Sequence, residues 1–339
     1  MNLSERDKLY NWHPYTQHKT AKHFPAIVKG EGALLWDENN KEYIDAIASW
    51  WVNPYGHSNS FIAEAIYKQL TTLEHVLFGG FTHEPAVVLA EKLMAILPKN
   101  QQKLFFSDNG STAVEIAIKV ALQYFFNKGE KKTTIIAFEN AFHGDTFAAM
   151  AASGISLFTD AFQGMFIDVV RIPVPIVGEE KASCDALAKA IKDHNCAGFI
   201  FEPLVQGAAG MVMYEPAALD ALIRMCKDNN VLTIADEVMT GFGKTGRTFA
   251  SDYLEEQPDM MCLSKALTGG TIPMAITTFT QEIFDAFYDE DINKALFHGH
   301  TFTANPTGCA AALASLELLQ TPAMQANIAR VNAMHLAFE

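Results

Sequence analysis

The sequence predicts an α/β fold, mainly a parallel sheet in a large domain with a smaller domain beside it, and three observations support this. Five short runs, at 133–138, 197–201, 231–235, 260–263 and 274–279, are almost continuously apolar. Such runs suit strands covered on both faces, as in a parallel sheet under helices. Stretches with helical spacing, 183–193 and 216–229 among them, separate some of the runs. Polar residues (Ser107–Ser111, Glu139–Asp145, Glu202, Asp236-Glu237 and Ser264-Lys265) follow the ends of five strands, the run at 103–106 and the first four of those just named, and ligands of open α/β sheets sit at the carboxyl ends of strands.

The elements follow in order. Residues 30–45 read as strand, turn, strand, with Asp37, Glu38, Asn39 and Asn40 at the turn. Helical spacing covers 61–73 and 84–97. A short apolar run at 103–106 leads into Ser107-Asp108-Asn109-Gly110 and a helix over roughly 111–126. The five runs named above come next. The division expected is a small-domain segment at 1–60, a large cofactor-sized domain at 61–310, and the start of a C-terminal small domain at 311–339. A chain of 339 residues, 49% of them apolar, is long enough for two domains with a sizeable core.

Charge and cysteine usage narrow the class. A net charge of −14 argues against a nucleic-acid or anionic-membrane surface, which would need a basic stripe. The five cysteines, Cys184, Cys196, Cys226, Cys262 and Cys309, form no C-x-x-C pair. They read as reduced, mostly buried thiols, which fits the cytoplasm. The N-terminal residues lack an apolar core for a signal peptide. No apolar stretch reaches the about 18 residues of a membrane span.

The chemistry starts at Asp236-Glu237, directly after the run at 231–235. A carboxylate there is costly without a partner. It can be a helix N-cap, or it can hold a protonated ring nitrogen and so keep a cofactor electron-poor. Lys265 ends the run at 260–263 and is followed by Gly269-Gly270, 29 positions after Asp236. Burial at such a strand end would lower its pKa and free its amine to attack a carbonyl. Gly110, Ser111 and Thr112 open a helix, whose free amides and dipole suit a phosphate, although Asn-Gly-Ser-Thr is also a plain N-cap. Gly243-Lys244-Thr245 is no P-loop, because the first glycine of that motif would fall at Val238. His13, His18 and His23 are spaced by five, about 140° apart on a helix, and read as exposed loop histidines, not metal ligands.

Ala235–Val238 (ADEV), residues 241–246 (GFGKTG) and 264–270 (SKALTGG) together resemble the class III aminotransferases of pyridoxal-phosphate fold type I. Residues 140–146 (NAFHGDT), 202–207 (EPLVQG) and 301–306 (TFTANP) are similar to the same family in the same order. The resemblance runs essentially the whole chain. It implies pyridoxal 5′-phosphate as cofactor, Lys265 as its covalent lysine and Asp236 on its pyridine nitrogen. It also implies Gly110 and Ser111 at the phosphate, Phe142 stacked on the ring and His143 beside it. Thr301 falls where the family reaches the phosphate of the neighbouring subunit, which implies a homodimer.

Two further motifs, 12–17 (WHPYTQ) and 48–51 (ASWW), resemble one branch of the class, which works in biotin biosynthesis. That branch moves the amino group of S-adenosylmethionine to 8-amino-7-oxononanoate. The resemblance places Tyr15 and Trp51 in the substrate pocket and Asp145 near the amine-bearing substrate. One of Trp50 and Trp51 is expected in the core, since neighbouring strand residues face opposite ways. Three departures stand out. Phe142 replaces a tyrosine, His300 precedes Thr301 where proline is common, and no equivalent exists of the C-terminal arginine that binds the substrate carboxylate. With its end at Glu339 the chain reads as truncated. A lysine or ω-amine donor, or a non-catalytic binding protein of the same fold, are the alternative readings.

Overall fold

Twelve strands are present in the computed structural model, which describes residues 1–21 and 24–338. They are β1 (Ile27–Glu31), β2 (Leu34–Asp37), β3 (Glu42–Ile44), β4 (Gln101–Ser107), β5 (Thr134–Phe138), β6 (Val169–Ile172), β7 (Cys196–Phe201), β8 (Val205–Gln206), β9 (Val212–Met213), β10 (Leu232–Asp236), β11 (Met260–Leu263) and β12 (Ala275–Thr280). The central sheet has the order β4-β12-β11-β10-β7-β5-β6. Strands β11, β10, β7, β5 and β6 pair in parallel, and β12 is antiparallel to both of its neighbours. The expected mainly parallel α/β architecture is therefore present.

The apolar runs predicted as strands are strands. β5 and β7 are buried at every residue, as is β12 up to its last one. Burial on both faces dictates the composition of β12 just as it does for its parallel neighbours, so strand direction leaves no mark in it. β6 was not expected. It is an edge strand only partly buried, with an exposed Arg171 in its middle, so no continuous apolar run marks it.

Helices cover both faces. Gly110–Asn127 lies on one, burying Val114, Ile116, Ala117, Val120 and Ala121 against the sheet. Glu84–Ile96, Glu180–Asp193, Pro216–Asp228 and Pro306–Leu319 build the core on the other. The boundary expected at residue 310 falls inside helix Pro306–Leu319. Cys309, Ala312, Leu316 and Leu319 of that helix are buried in one core.

Near the N-terminus β1, β2 and β3 form a separate three-stranded sheet, where strand, turn, strand was expected over 30–45. Gly32, with φ +58°, makes the tight turn between β1 and β2. The histidines expected in exposed loops are packed. His13 lies 2.6 Å from Asp7 and stacks on Phe24 with ring centres 4.1 Å apart, and the His13 amide donates to His18 Nε2. His23 lies outside the described residues.

Register aligns the strand ends. Asp236 lies beside Cys262, and Ser107 beside Ala275, so the ends of β4, β10 and β11 share one edge with the start of β12. Four of the five cysteines are buried and all are free thiols. Among the described residues no helix is long and apolar enough to cross a membrane.

The core centres on aromatic packing that is easy to test. Phe199 is fully buried and lies 5.1 Å, centre to centre, from both Phe138 and Phe201. Phe199→Ala should lower stability by roughly 3–5 kcal/mol. Urea unfolding measures this, and a cost below about 1 kcal/mol would be inconsistent with such a core position.

Candidate active site

The loops that follow β4, β5, β7, β10 and β11 meet in a cavity of about 890 Å³. All five strand ends singled out from sequence contribute to it. Gly110, Ser111, Phe142, His143, Asp236 and Lys265 line it, as do Tyr15, Trp51 and Asp145. Thr301 does not. It is exposed and opens the turn before helix Pro306–Leu319, outside the cavity of its own chain.

Asp236 is buried at the last position of β10. One carboxylate oxygen lies 2.7 Å from His143 Nδ1, and the other accepts the Val238 amide at 3.1 Å. His143 is itself held by its backbone, whose amide donates to Ser153 Oγ at 2.9 Å. Its Nε2 is buried with no hydrogen-bond partner among the described residues. The neighbouring Glu237 does structural work. It accepts the amides of Ala250 and Ser251 and the Thr240 hydroxyl, and so ties the chain beyond Gly246 back under β10.

Lys265 follows β11 and Ser264, whose hydroxyl donates to the Met274 carbonyl at 2.8 Å and pins the loop. Lys265 has φ +46°, a left-handed conformation unusual for a lysine. Burial pulls its amine below the ordinary range, with the charges of Asp236 and Glu202 opposing that shift. An amine with a depressed pKa is a better nucleophile at neutral pH. Its Nζ lies 5.2 Å from the centre of the Trp51 ring.

The anion cradle is the start of helix Gly110–Asn127. Asn109 caps it by accepting the Thr112 amide at 3.0 Å. Helix geometry leaves the amides of Gly110 and Ser111 without intrahelical acceptors, and they open on the cavity. Gly110 is obligatory, since a Cβ there would stand 2.7 Å from Val238 Cγ1. Gly144, at φ +127°, sits so close to Ser111 that a Cβ would stand 2.3 Å from its Oγ. The Ser111 hydroxyl accepts the Thr146 amide at 2.9 Å, which binds the loop after β5 to the cradle.

The outer wall comes from the N-terminal region. Tyr15 donates its hydroxyl to Asp145, and its ring packs on Trp50 at 5.6 Å and Phe158 at 5.3 Å. Burial, then the bond to Asp145, pushes the Tyr15 phenol upward, so it stays protonated. Trp50 and Trp51 both line the cavity, and Trp50 is 52% exposed. Neither is a core residue, which corrects the expectation from strand alternation. The segment Ala48–Trp51 is no strand but a left-handed turn, with φ of 46°, 49°, 64° and 61°. Such residues cost about 1–2 kcal/mol each.

Some of the lining was not picked out from sequence. Val238 reads as an ordinary apolar residue after Asp236, yet Gly110 is shaped around it. Glu202 is marked in the sequence as the polar residue after the run at 197–201 and within a family motif, but no role is read for it there. It accepts the amides of Phe142 at 3.1 Å and Gly207 at 2.9 Å, so it bridges the loops after β5 and β7. A buried acid directly after an apolar run was the available signal, the same one that marked Asp236.

A buried carboxylate with an oriented histidine, a buried nucleophilic amine and an amide cradle for a dianion fit a phosphorylated aldehyde cofactor. Residues 15–337 match the family described as aminotransferase class-III. The chain belongs to the class III aminotransferases, which depend on pyridoxal phosphate. It is 48% identical over 316 residues to the adenosylmethionine-8-amino-7-oxononanoate aminotransferase of Synechococcus elongatus, covering 91% of this chain and 74% of that one. The crystal structure of the enzyme of that name from Methanocaldococcus jannaschii superposes with a TM-score of 0.90 at 39% identity, over 95% of this chain and 75% of that one. An ω-transaminase from Pseudomonas jessenii, in complex with PMP, gives 0.86 at 30% identity, over 94% of this chain and 75% of that one.

Glu202 gives a pH signature. Burial, reinforced by Asp236, pushes its carboxyl up to about 7 from an ordinary 4.5. Between those values the folded cofactor-free protein holds a proton that the unfolded chain has released. Stability should therefore fall as pH rises from about 4.5 to about 7, by on the order of 3 kcal/mol, then level off. Glu202→Gln should flatten this dependence in urea unfolding across that window. An unchanged slope in the variant would assign the titration to another group.

Proposed function

We propose that this chain transfers the amino group of S-adenosylmethionine to 8-amino-7-oxononanoate, giving 7,8-diaminononanoate in biotin biosynthesis. Eight curated relatives of that name, 37–48% identical to it, support the reading. The observation that carries it in the site is the aromatic wall of Tyr15, Trp50 and Trp51 beside Asp145. Flat rings suit both an adenosyl group and the long apolar chain of the acceptor, and Asp145 suits a cationic amine.

The roles we assign are these. Bound pyridoxal phosphate supplies a carbonyl that takes up the amino group and a ring that draws electrons from the donor carbon. Lys265 holds the cofactor covalently through Nζ, and that same atom, once free, takes the proton from the donor carbon. Asp236, fixed by His143, holds the ring nitrogen protonated. Gly110 and Ser111 bind the phosphate through their amides at the positive end of a helix. Phe142 covers the ring face. Tyr15 closes the outer end and limits water.

Thr301 completes the phosphate site of a neighbouring copy, so the enzyme works as a homodimer. Its free, largely buried thiols suit the cytoplasm. Residues 1–60 are assigned to the small domain, 61–310 to the large cofactor-binding domain and 311–339 to the start of the C-terminal small-domain segment. A second reading, an ω-amine donor, is favoured by the ω-transaminase structures at about 30% identity and by Phe142, which lacks a phenolic hydroxyl.

Single-turnover spectra distinguish the donors. S-adenosylmethionine should discharge the visible band of the lysine-bound cofactor much faster than lysine or a simple ω-amine does. A faster response to either of the others would reject this donor and leave the aminotransferase class standing. Asp236→Asn should retain cofactor but slow the half-reaction by roughly 3–4 kcal/mol in barrier; near-normal turnover would move the ring-nitrogen role elsewhere.

Subunit exchange tests the shared site. Lys265→Ala and Thr301→Ala proteins, each with little activity, should regain activity on mixing, because one site of each heterodimer carries neither defect. No recovery between variants shown to exchange subunits would place Thr301 outside the partner's site.

A further inference from the structure

We propose that Asp45 is a positioning residue of the active site, acting through the left-handed turn Ala48–Trp51 to hold Trp51 against Lys265. The inference rests on the pocket role given above to Trp51. Asp45 itself does not line the cavity. Its carboxylate accepts the Ser49 amide at 3.0 Å and the Ser49 hydroxyl at 2.7 Å, inside the turn. Its Oδ2 also lies 2.8 Å from His57 Nε2, and its side chain is only 8% exposed.

Four successive left-handed residues do not persist without outside support. The support has two sides. On one, the second ring nitrogen of His57 lies 3.0 Å from the Asn53 side-chain amide, just past the turn. The His57 backbone bridges to Gly32 in both directions, and the Asp45 amide donates to Ala33. The clamp is thereby anchored on the turn between β1 and β2. Gly30 leaves room for it, since a Cβ there would stand 2.8 Å from His57 Cβ.

On the other side the turn abuts the lysine loop. Gly270 touches the chain at Val52 and Asn53 so closely that a Cβ would stand 2.8 Å from the Val52 carbonyl oxygen. The turn is thus gripped between the Asp45–His57 pair and the loop carrying Lys265. The only side chains it sends into the cavity are Trp50 and Trp51. Releasing Asp45 frees the turn to relax toward right-handed backbone, which swings the Trp51 ring away from Lys265 and the Trp50 ring away from Tyr15.

A double-mutant cycle on the cofactor-loaded protein tests this. Asp45→Ala should retain cofactor, raise the KM for the amino donor about tenfold, and change near-ultraviolet circular dichroism, which reports the tryptophan environments without any substrate. In a Trp51→Ala background the same substitution should change KM by less than about twofold. Asp45→Asn, which can still accept from Ser49, should recover much of the loss. Should Asp45→Ala fail to fold, Ser49→Ala, which removes one bond of the clamp, should give a smaller loss with the same coupling to Trp51. Additive effects of Asp45 and Trp51, or an unchanged KM with an unchanged dichroism spectrum, would overturn the proposal. If the wild-type protein ignores S-adenosylmethionine, the donor assignment fails separately. The dichroism comparison, and the cycle run with the donor that does react, then still decide the role of Asp45.

Discussion

The contact between Asp236 and His143 is the one on which the rest of the site depends. A carboxylate at the end of a strand buried on both faces is stable only if its oxygens are occupied. His143 occupies one and the Val238 amide the other. This fixes the loop after β5, because His143 is tied to Ser153 and its neighbour Phe142 to Glu202. It also fixes Val238, around which Gly110 is shaped. The ends of four strands, β10, β5, β7 and β4, are therefore locked together before any ligand enters.

Lys265 sits within reach of that assembly but is bonded to none of it among the contacts described. Its amine meets burial, the charges of two carboxylates and the face of Trp51. Burial is the larger effect, so the amine is pulled below its ordinary range despite both carboxylates. A lysine paired directly with Asp236 would hold its proton and would be a poorer nucleophile. The His143 bond to Asp236 helps to prevent such a pairing by giving the carboxylate another partner.

Strain collects around the same cavity. Tyr15, Trp50, Trp51 and Lys265 all have positive φ and all line it. Each is a side chain whose direction matters more than its local backbone comfort. The stabilisation that offsets this strain comes from the Asp45–His57 pair behind the cavity, from the close approach of Gly270 and the bond from Ser264 to Met274 in its wall, and from the buried sheet beneath.

The sequence by itself determined the buried strands and the order of polar residues along one sheet edge, and it marked Asp236 and Lys265 as the candidate acid and amine. Burial on both faces imposes continuous apolar runs, and a polar residue ending such a run is conspicuous within a few positions. Edge strand β6, half covered, escaped for the same reason. Tertiary structure alone decided the rest. It brought Tyr15 to Asp145 across 130 positions, set Val238 against Gly110, turned Ala48–Trp51 left-handed so that both tryptophans face the cavity, and kept Thr301 out of its own chain's site. It also carried helix Pro306–Leu319 through the boundary expected at 310. None of these has a local periodic trace, because each depends on contact between segments far apart in the chain, and the composition of either segment is compatible with several partners.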